Sequence, residues 1–375
     1  MKRAAAITLG ASMLLSIIAG TTAEAGGVMY VNEDGDYLNL GGRIQLQYHS
    51  ENPDGGSSSD ELLFRRLRPY IEGSVHEDWK GKFQWDMGKS DLSVKDAYFE
   101  YKGLEYTWIK IGNVTFPFSR EQITSSKKQG LVERTFVGDH NYGVPDRQAG
   151  LHGSTKLMDG IFELSAAVVK GAIDPSSSKI DFDTVVNSDD DFLEGNMAGA
   201  RAEIFPLGHF KPEQGDFKGD VKCAFAVAGF GWVNDDDNNS GNVTQDVDKV
   251  TGYEISAALR GGGFSLDAEY NNIQAELSDM SVTAGLFADG KTTIETYAVE
   301  GGVMVLPGQV ELVVGYQSMD ADNYAKTWKR TSMGLNYYVK KHDIKYQLTY
   351  RVGENVSGED GVDEDEIFVQ AQYVF

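Results

Sequence analysis

Four arginines in the first fifth of this chain, Arg43, Arg65, Arg66 and Arg68, carry the side chains best suited to holding a charged ligand. A guanidinium fork keeps its charge at physiological pH and can engage carboxylate or phosphate oxygens two at a time. A second polar group, Ser125, Ser126, Lys127, Lys128, Glu133 and Arg134, lies in one uninterrupted stretch, 115–148. Tyr70 adds a phenolic donor and Asp86 a countercharge. These residue types suit the passage or capture of small polar solutes and anions. Bond-breaking chemistry has no comparable candidates. There is no G-x-S-x-G, no H-E-x-x-H and no Cys/His metal spacing, and the six histidines are scattered. The chain is therefore read as a non-enzyme with no cofactor and no metal centre.

Strands must position these groups. Period-two alternation runs from end to end. In 37–49, Leu38, Leu40, Ile44, Leu46 and Tyr48 share one face, against Arg43, Gln45, Gln47 and His49. In 66–75, Leu67, Pro69, Ile71 and Val75 oppose Arg66, Arg68, Tyr70, Glu72 and Ser74. The same pattern recurs in 81–88, 94–102 and 107–114. It continues near 149–157, 161–170, 197–205, 221–233, 251–260, 264–273, 293–305, 310–318, 330–340, 343–352 and 366–375. That makes about sixteen strands, most of them near the roughly 9–11 residues a tilted membrane strand needs. Long connections (50–63, 115–148, 171–196, 234–250, 274–292, 319–329, 353–365) alternate with short ones, and 206–220 is the exception. The expected fold is all-β: a single transmembrane antiparallel β-barrel whose wide lumen is narrowed by 115–148 folded inward.

Both ends of the chain agree. Met1-Lys2-Arg3, an uncharged apolar stretch over 4–20 and Ala23-Glu24-Ala25 read as a secretory signal peptide cleaved after Ala25, leaving 26–375 as the barrel. The C-terminal run Ile367, Val369, Ala371, Tyr373, Phe375 alternates with Phe368, Gln370, Gln372 and Val374. It resembles the closing signal of bacterial outer-membrane barrels. Composition fits, with 43 Gly, 8 Pro, 18 Tyr and 18 Phe, and a mean hydropathy of −0.35 is too polar for helical membrane spans. The single cysteine, Cys223, excludes a disulfide framework and reads as a small apolar filler. Net charge is −23, which excludes nucleic acid as a partner. The acidic excess gathers in long connections, as at 189–191, 235–237 and 359–366. The bland reading is a solvated rim; the sharper one is cation bridging to lipid phosphates. The five tryptophans are expected at the membrane interfaces.

Particular motifs narrow the class. Phe64-Arg65-Arg66-Leu67-Arg68, Asp96-Ala97-Tyr98-Phe99-Glu100-Tyr101, Gly112-Asn113, Pro117-Phe118, Glu121, Thr124-Ser125 and Glu133-Arg134 resemble the phosphate-selective porin O/P family. The resemblance implies a homotrimeric, sixteen-stranded channel in the bacterial outer membrane, in contact with its lipid and passing small hydrophilic solutes. In the family's phosphate-selective members, lumen arginines and lysines lead to an oxyanion site. Arg65, Arg66 and Arg134 match family arginines, whereas Val114-Thr115-Phe116 replaces the lysine that often precedes Pro-Phe. The inward face also carries Glu72, Asp86, Asp96, Glu100, Glu163, Glu203, Glu254, Asp267, Glu269 and Glu300, so the wall reads as mixed in sign. Three outcomes stay open at this point: a general porin with a transverse field, a true phosphate or oxyanion site, and cation preference from acidic mouths. From a different class comes a plugged barrel acting as a surface adhesin or structural protein.

Overall fold

The computed structural model describes residues 28–33, 35–187, 195–234 and 245–375. The expected leader, its cleavage site and the acidic runs 189–191 and 235–237 lie outside the described residues. The strands are β1 (Val28–Val31), β2 (Tyr37–Pro53), β3 (Ser59–His76), β4 (Trp79–Asp86), β5 (Ser93–Leu104), β6 (Thr107–Thr115), β7 (Arg147–Leu157) and β8 (Phe162–Lys170). Next come the two-residue strands β9 (Ala172–Ile173) and β10 (Phe182–Asp183), which pair with each other. The rest are β11 (Gly195–Ile204), β12 (Lys222–Asn234), β13 (Val247–Gly261), β14 (Phe264–Leu277), β15 (Lys291–Leu306), β16 (Val310–Asp320), β17 (Trp328–Lys340), β18 (Ile344–Glu354) and β19 (Glu364–Val374). One short helix, α1 (Arg120–Ile123), interrupts the connection between β6 and β7.

Strands β2–β8 and β11–β19 form an antiparallel ring of sixteen, with β8 paired to β11 and β19 to β2. Closure leaves no edge, so the ring's backbone donors and acceptors are satisfied within it, the condition for crossing lipid without helices. The C-terminal strand completes the ring as its alternation implies. Phe368, Gln370 and Gln372 are buried inside, while Ile367, Val369 and Tyr373 face outward. Strand β1 continues the ladder past the C-terminus: Gly42 and Phe375 exchange backbone hydrogen bonds of 2.8 and 3.0 Å, and Val28 then pairs with Leu40.

Alternation decides which face meets lipid. In β17, Met333, Leu335 and Val339 are exposed on the outside, whereas Ser332 and Asn336 are buried inside. Loop lengths are sorted as expected, the long 206–220 included, with one revision. At the long-loop end, 50–63 is not a loop: β2 and β3 run 17 and 18 residues and pair as far as Glu51 opposite Ser59, leaving only 54–58 to turn. A Tyr48–Asp60 hydrogen bond of 2.9 Å reinforces this projecting hairpin. At the short-turn end, 205–221 is long because it folds up into the barrel.

The tryptophan expectation fails for three of five. Trp79 and Trp85 lie on the outer face, but Trp108 lines the lumen, and Trp232 and Trp328 are 2% and 5% exposed inside the barrel. The last two belong to a core no strand pattern reveals. Phe116, Phe118, Phe136 and Val144 from the β6–β7 loop pack with Ile173, Ile180 and Phe182 and with Leu286 and Phe287 from two other long loops. The inward residues Phe230, Trp232, Ile273, Ile294 and Met319 complete it. At these strand ends the inside of the barrel is dry, so apolar side chains point in.

Candidate functional site

The β6–β7 connection, 116–146, enters the lumen and divides it. Its first anchor is α1. The Arg120 and Glu121 backbone N–H groups donate to the carboxylates of Glu254 (3.0 Å) and Glu269 (2.9 Å) on the far wall. The Arg120 guanidinium pairs with Glu203 and reaches Asp267 at 3.4 Å. Arg201 pairs with Glu203 and Glu254 on the same wall. The acidic side chains of β11, β13 and β14 thus serve to hold the loop, and Glu254 and Glu269 are buried beneath it.

Residues 126–136 then cross toward β16–β19. Lys345 donates to Gln129 O (2.7 Å), Asn336 and Gln347 donate to Gly130 O (2.8 Å each), and Phe136 N–H donates to Gln317 (2.8 Å). The opposite border of the loop is fixed to β2 and β3. Arg43 donates to Ser126 Oγ at 3.1 Å, and Arg65 grips Glu133 with two bonds. Arg65 and Arg66 both reach inward because β3 carries a bulge: Gln45 pairs with Arg66 but Leu46 pairs with Phe64, leaving Arg65 as the extra residue. Burial raises the cost of charge on Glu133, but Arg65 and Arg66 outweigh it and hold that carboxyl well below the usual carboxylate range.

Among the described residues, an eccentric passage stays open beside β2–β8, with a cavity of about 560 Å³. Its charged lining is Arg43, Arg68, Lys82, Lys110, Lys127, Arg134, Arg147 and Arg201 against Glu72, Asp96 and Glu163. The wall that reads as mixed along the chain is sorted in space, because the loop covers most of its acidic part. Several of the bases are neutralised locally. Arg68 pairs with Asp86 (2.6 Å), Asp96 bridges Lys82 (2.6 Å) and Arg147 (2.7 Å), and Lys110 lies 3.6 Å from Glu100. Among the described residues, no carboxylate comes within 4.0 Å of the charged nitrogens of Arg43, Lys127 or Arg134. Arg134 instead donates to the carbonyls of Gln122 and Thr124. Ser125 and Ser126 line the passage between these cations, and Tyr70 projects into it with its ring 5.7 Å from the Lys82 ammonium.

Of the residues nominated from sequence, Arg43, Arg68, Tyr70, Ser125, Ser126, Lys127 and Arg134 border the passage. The others do not. Arg65 and Glu133 form a tether, and Arg66 is buried with its guanidinium on Gln45 (3.1 Å). Asp86 sits behind Arg68, and Lys128 turns away to Glu213 at 3.0 Å. Sequence reasoning missed Lys110, Trp108 and Arg147. The first two were legible, since they alternate in β6 with the outward Ile109 and Ile111. No periodic signal marks Arg147, the first residue of β7. Val114 and Thr115, standing where the family often has lysine, also line the passage, which is therefore neutral at that point.

A closed sixteen-stranded antiparallel barrel with an inward loop and a polar cavity is the architecture of outer-membrane porins. The family model described as phosphate-selective porin O and P matches residues 38–207, and over that stretch the chain is similar to this family. An uncharacterized protein of Aquifex aeolicus is 26% identical over 365 residues, covering 85% of this chain and 80% of its own length. Porin O of Pseudomonas aeruginosa is 29% identical over 166 residues, 41% of this chain and 38% of that protein. Among solved structures, Salmonella typhi OmpF aligns with a TM-score of 0.59 at 14% identity over 92% of this chain and 100% of its own. An anion-selective porin from Comamonas acidovorans aligns at 0.57 and 11% identity, over 91% and 100%. These structural likenesses concern the fold.

Proposed function

We propose that the passage prefers anions, and that Arg43, Lys127 and Arg134, with the hydroxyls of Ser125 and Ser126, hold a transient oxyanion such as phosphate within it. The observation that carries this reading is the sorting of charge: the uncovered side of the lumen is basic, and three of its cations lack a carboxylate partner. A low-dielectric wall strengthens the field of such unpaired charges on a passing ion, and guanidinium and hydroxyl donors replace part of its hydration shell. Arg68, Lys82 and Arg147, each compensated by a carboxylate, extend a weaker basic track along the same strands. The competing reading, a plugged barrel serving as an adhesin, has to contend with the open passage beside β2–β8. We also infer export with residues 1–25 removed, lipid contact around the apolar outer face, and assembly as a homotrimer.

Reconstitution in a planar bilayer tests the central claim through the reversal potential across a KCl gradient, with phosphate added to one side. An anion-selective current that phosphate reduces supports the oxyanion site. A nonselective or cation-selective current indifferent to phosphate overturns it and leaves a general porin.

A further inference from the structure

The connection between β11 and β12, residues 205–221, starts from the end of the barrel where every other turn is short, yet its tip is buried: Gln214 is 7% and Asp216 6% exposed. It rises beneath the loop 116–146 and joins it. Gln214 N–H donates to Lys128 O (2.9 Å), and its side-chain Oε1 accepts from Gly130 N–H (2.6 Å). Its Nε2 donates to Glu300, and its own carbonyl lies 2.8 Å from His342 Nε2. Every polar atom of Gln214 is therefore satisfied, two by the loop and two by the wall. Glu213 takes the Lys128 ammonium at 3.0 Å, while its carbonyl accepts from Arg260. Phe217 packs edge-on against Tyr338 and His342, with centroids 4.9 and 5.0 Å apart.

What this turn covers gives it a purpose. Beneath it lie Asp267, Glu300 and Glu311, three wall carboxylates with Arg260 as the salt-bridged cation among them. Gly215, at φ +77°, is close enough that a Cβ there would meet Glu311 Oε1 at 3.3 Å. None of the three borders the open passage. Left uncovered, they would face the water of the lumen and add their acidic groups to the field along the solute's path.

We propose that 205–221 is a second selectivity element: it shields the acidic wall of β14–β16 from the lumen, as the loop 116–146 shields Glu254 and Glu269. The charge of the channel is then set from both ends of the barrel. The inference rests on the channel reading but not on which ion the wild-type passage prefers, because the shield is read as a shift relative to wild type.

The test replaces 207–219 with a two-residue Gly-Asn turn and measures reversal potential and single-channel conductance in KCl. Retained heat-resistant migration of the barrel on gels serves as the folding control. The shortened channel is expected to move toward cations by at least twofold in permeability ratio, with higher conductance. Adding Glu300→Gln and Glu311→Gln to the shortened channel is expected to reverse most of that shift. An unchanged ratio in a folded shortened channel, or a shift that the two glutamine substitutions leave intact, overturns the proposal. Should the shortened chain fail to fold, the point variant Gln214→Ala decides: the same direction of shift, smaller, supports the shield, and a wild-type ratio overturns it. A wild type that carries no current would instead sink the channel reading.

Discussion

Arg65 and Glu133 meet through two parallel hydrogen bonds, Nε to Oε1 at 2.7 Å and Nη2 to Oε2 at 3.0 Å, joining the bulge of β3 to the loop that divides the lumen. Gln47 adds a third bond to the same carboxylate at 3.0 Å. The geometry is the fork-on-carboxylate kind that fixes orientation as well as distance. Its consequence is mechanical: the loop segment bearing Ser125, Ser126 and Lys127 is pinned on the side where the passage remains.

Breaking this pair should therefore loosen the constriction. Arg65→Ala leaves Glu133 partly buried without its main cation, at a cost on the order of 3 kcal/mol. The expected result is a lower urea midpoint and noisier open-channel current, with the barrel still formed. Quiet, wild-type current from a folded Arg65→Ala channel would show that the tether is dispensable.

The same pair sets an acid limit. Although burial opposes it, the arginines hold the folded-state pKa of Glu133 below its unfolded value near 4.5. Its contribution is thus complete above that value and is lost only as pH falls further, through the depressed folded value. Channel noise should stay constant from pH 7 to pH 4.5 and rise below it in wild type. In Glu133→Gln the noise should already be high at pH 7 and change little with acid.

Glu121 behaves in the opposite sense. Burial and the neighbouring Glu300 push its carboxyl up to about 8, against the hydrogen bonds from Thr135. In the window between its ordinary value of 4.5 and about 8 the folded protein holds a proton that the unfolded chain releases. Stability should therefore fall as pH rises through that window, by a few kcal/mol at most, roughly. Glu121→Gln should flatten the dependence and exceed wild type at pH 9 in urea midpoint. Parallel pH curves for the two proteins would refute the assignment.

Selectivity should respond in opposite directions to two substitutions in the passage. Arg43→Ala removes a cation that has no carboxylate partner, and the anion-to-cation permeability ratio is expected to fall at least twofold. Asp86→Asn frees Arg68 from its 2.6 Å ion pair and should raise the ratio. Equal shifts in the same direction would mean that local pairing does not govern the field.

Gly112, in β6, explains one of the family-like motifs physically. It has φ +130°, and a Cβ there would collide with the carbonyl oxygen of Ala97 on the neighbouring strand. Gly112→Ala is expected to destabilise the barrel by about 1–3 kcal/mol through backbone strain and steric overlap. A reduced yield of heat-resistant barrel on refolding would reveal it; wild-type yield would not fit the conformation.

The amino-acid sequence alone determined that this chain is a membrane barrel with an apolar outside and a polar inside. Alternation is a local property, and in β17 or β19 each residue's face follows from its immediate neighbours. It also indicated the inward loop, because 115–148 is too long to be a turn and carries the serines and cations. It misplaced Trp232 and Trp328, since inward positions are polar only where water fills the barrel, and distant loops had made that end dry. Tertiary structure decided the sorting of charge. Arg120 reaches Glu254, 134 residues away in sequence, and Gln214 reaches Glu300, 86 residues away. No periodicity encodes such pairings. They exist because ring closure places β11–β16 opposite β2–β5, and two segments entering from opposite ends then cover one wall and leave the other to solutes.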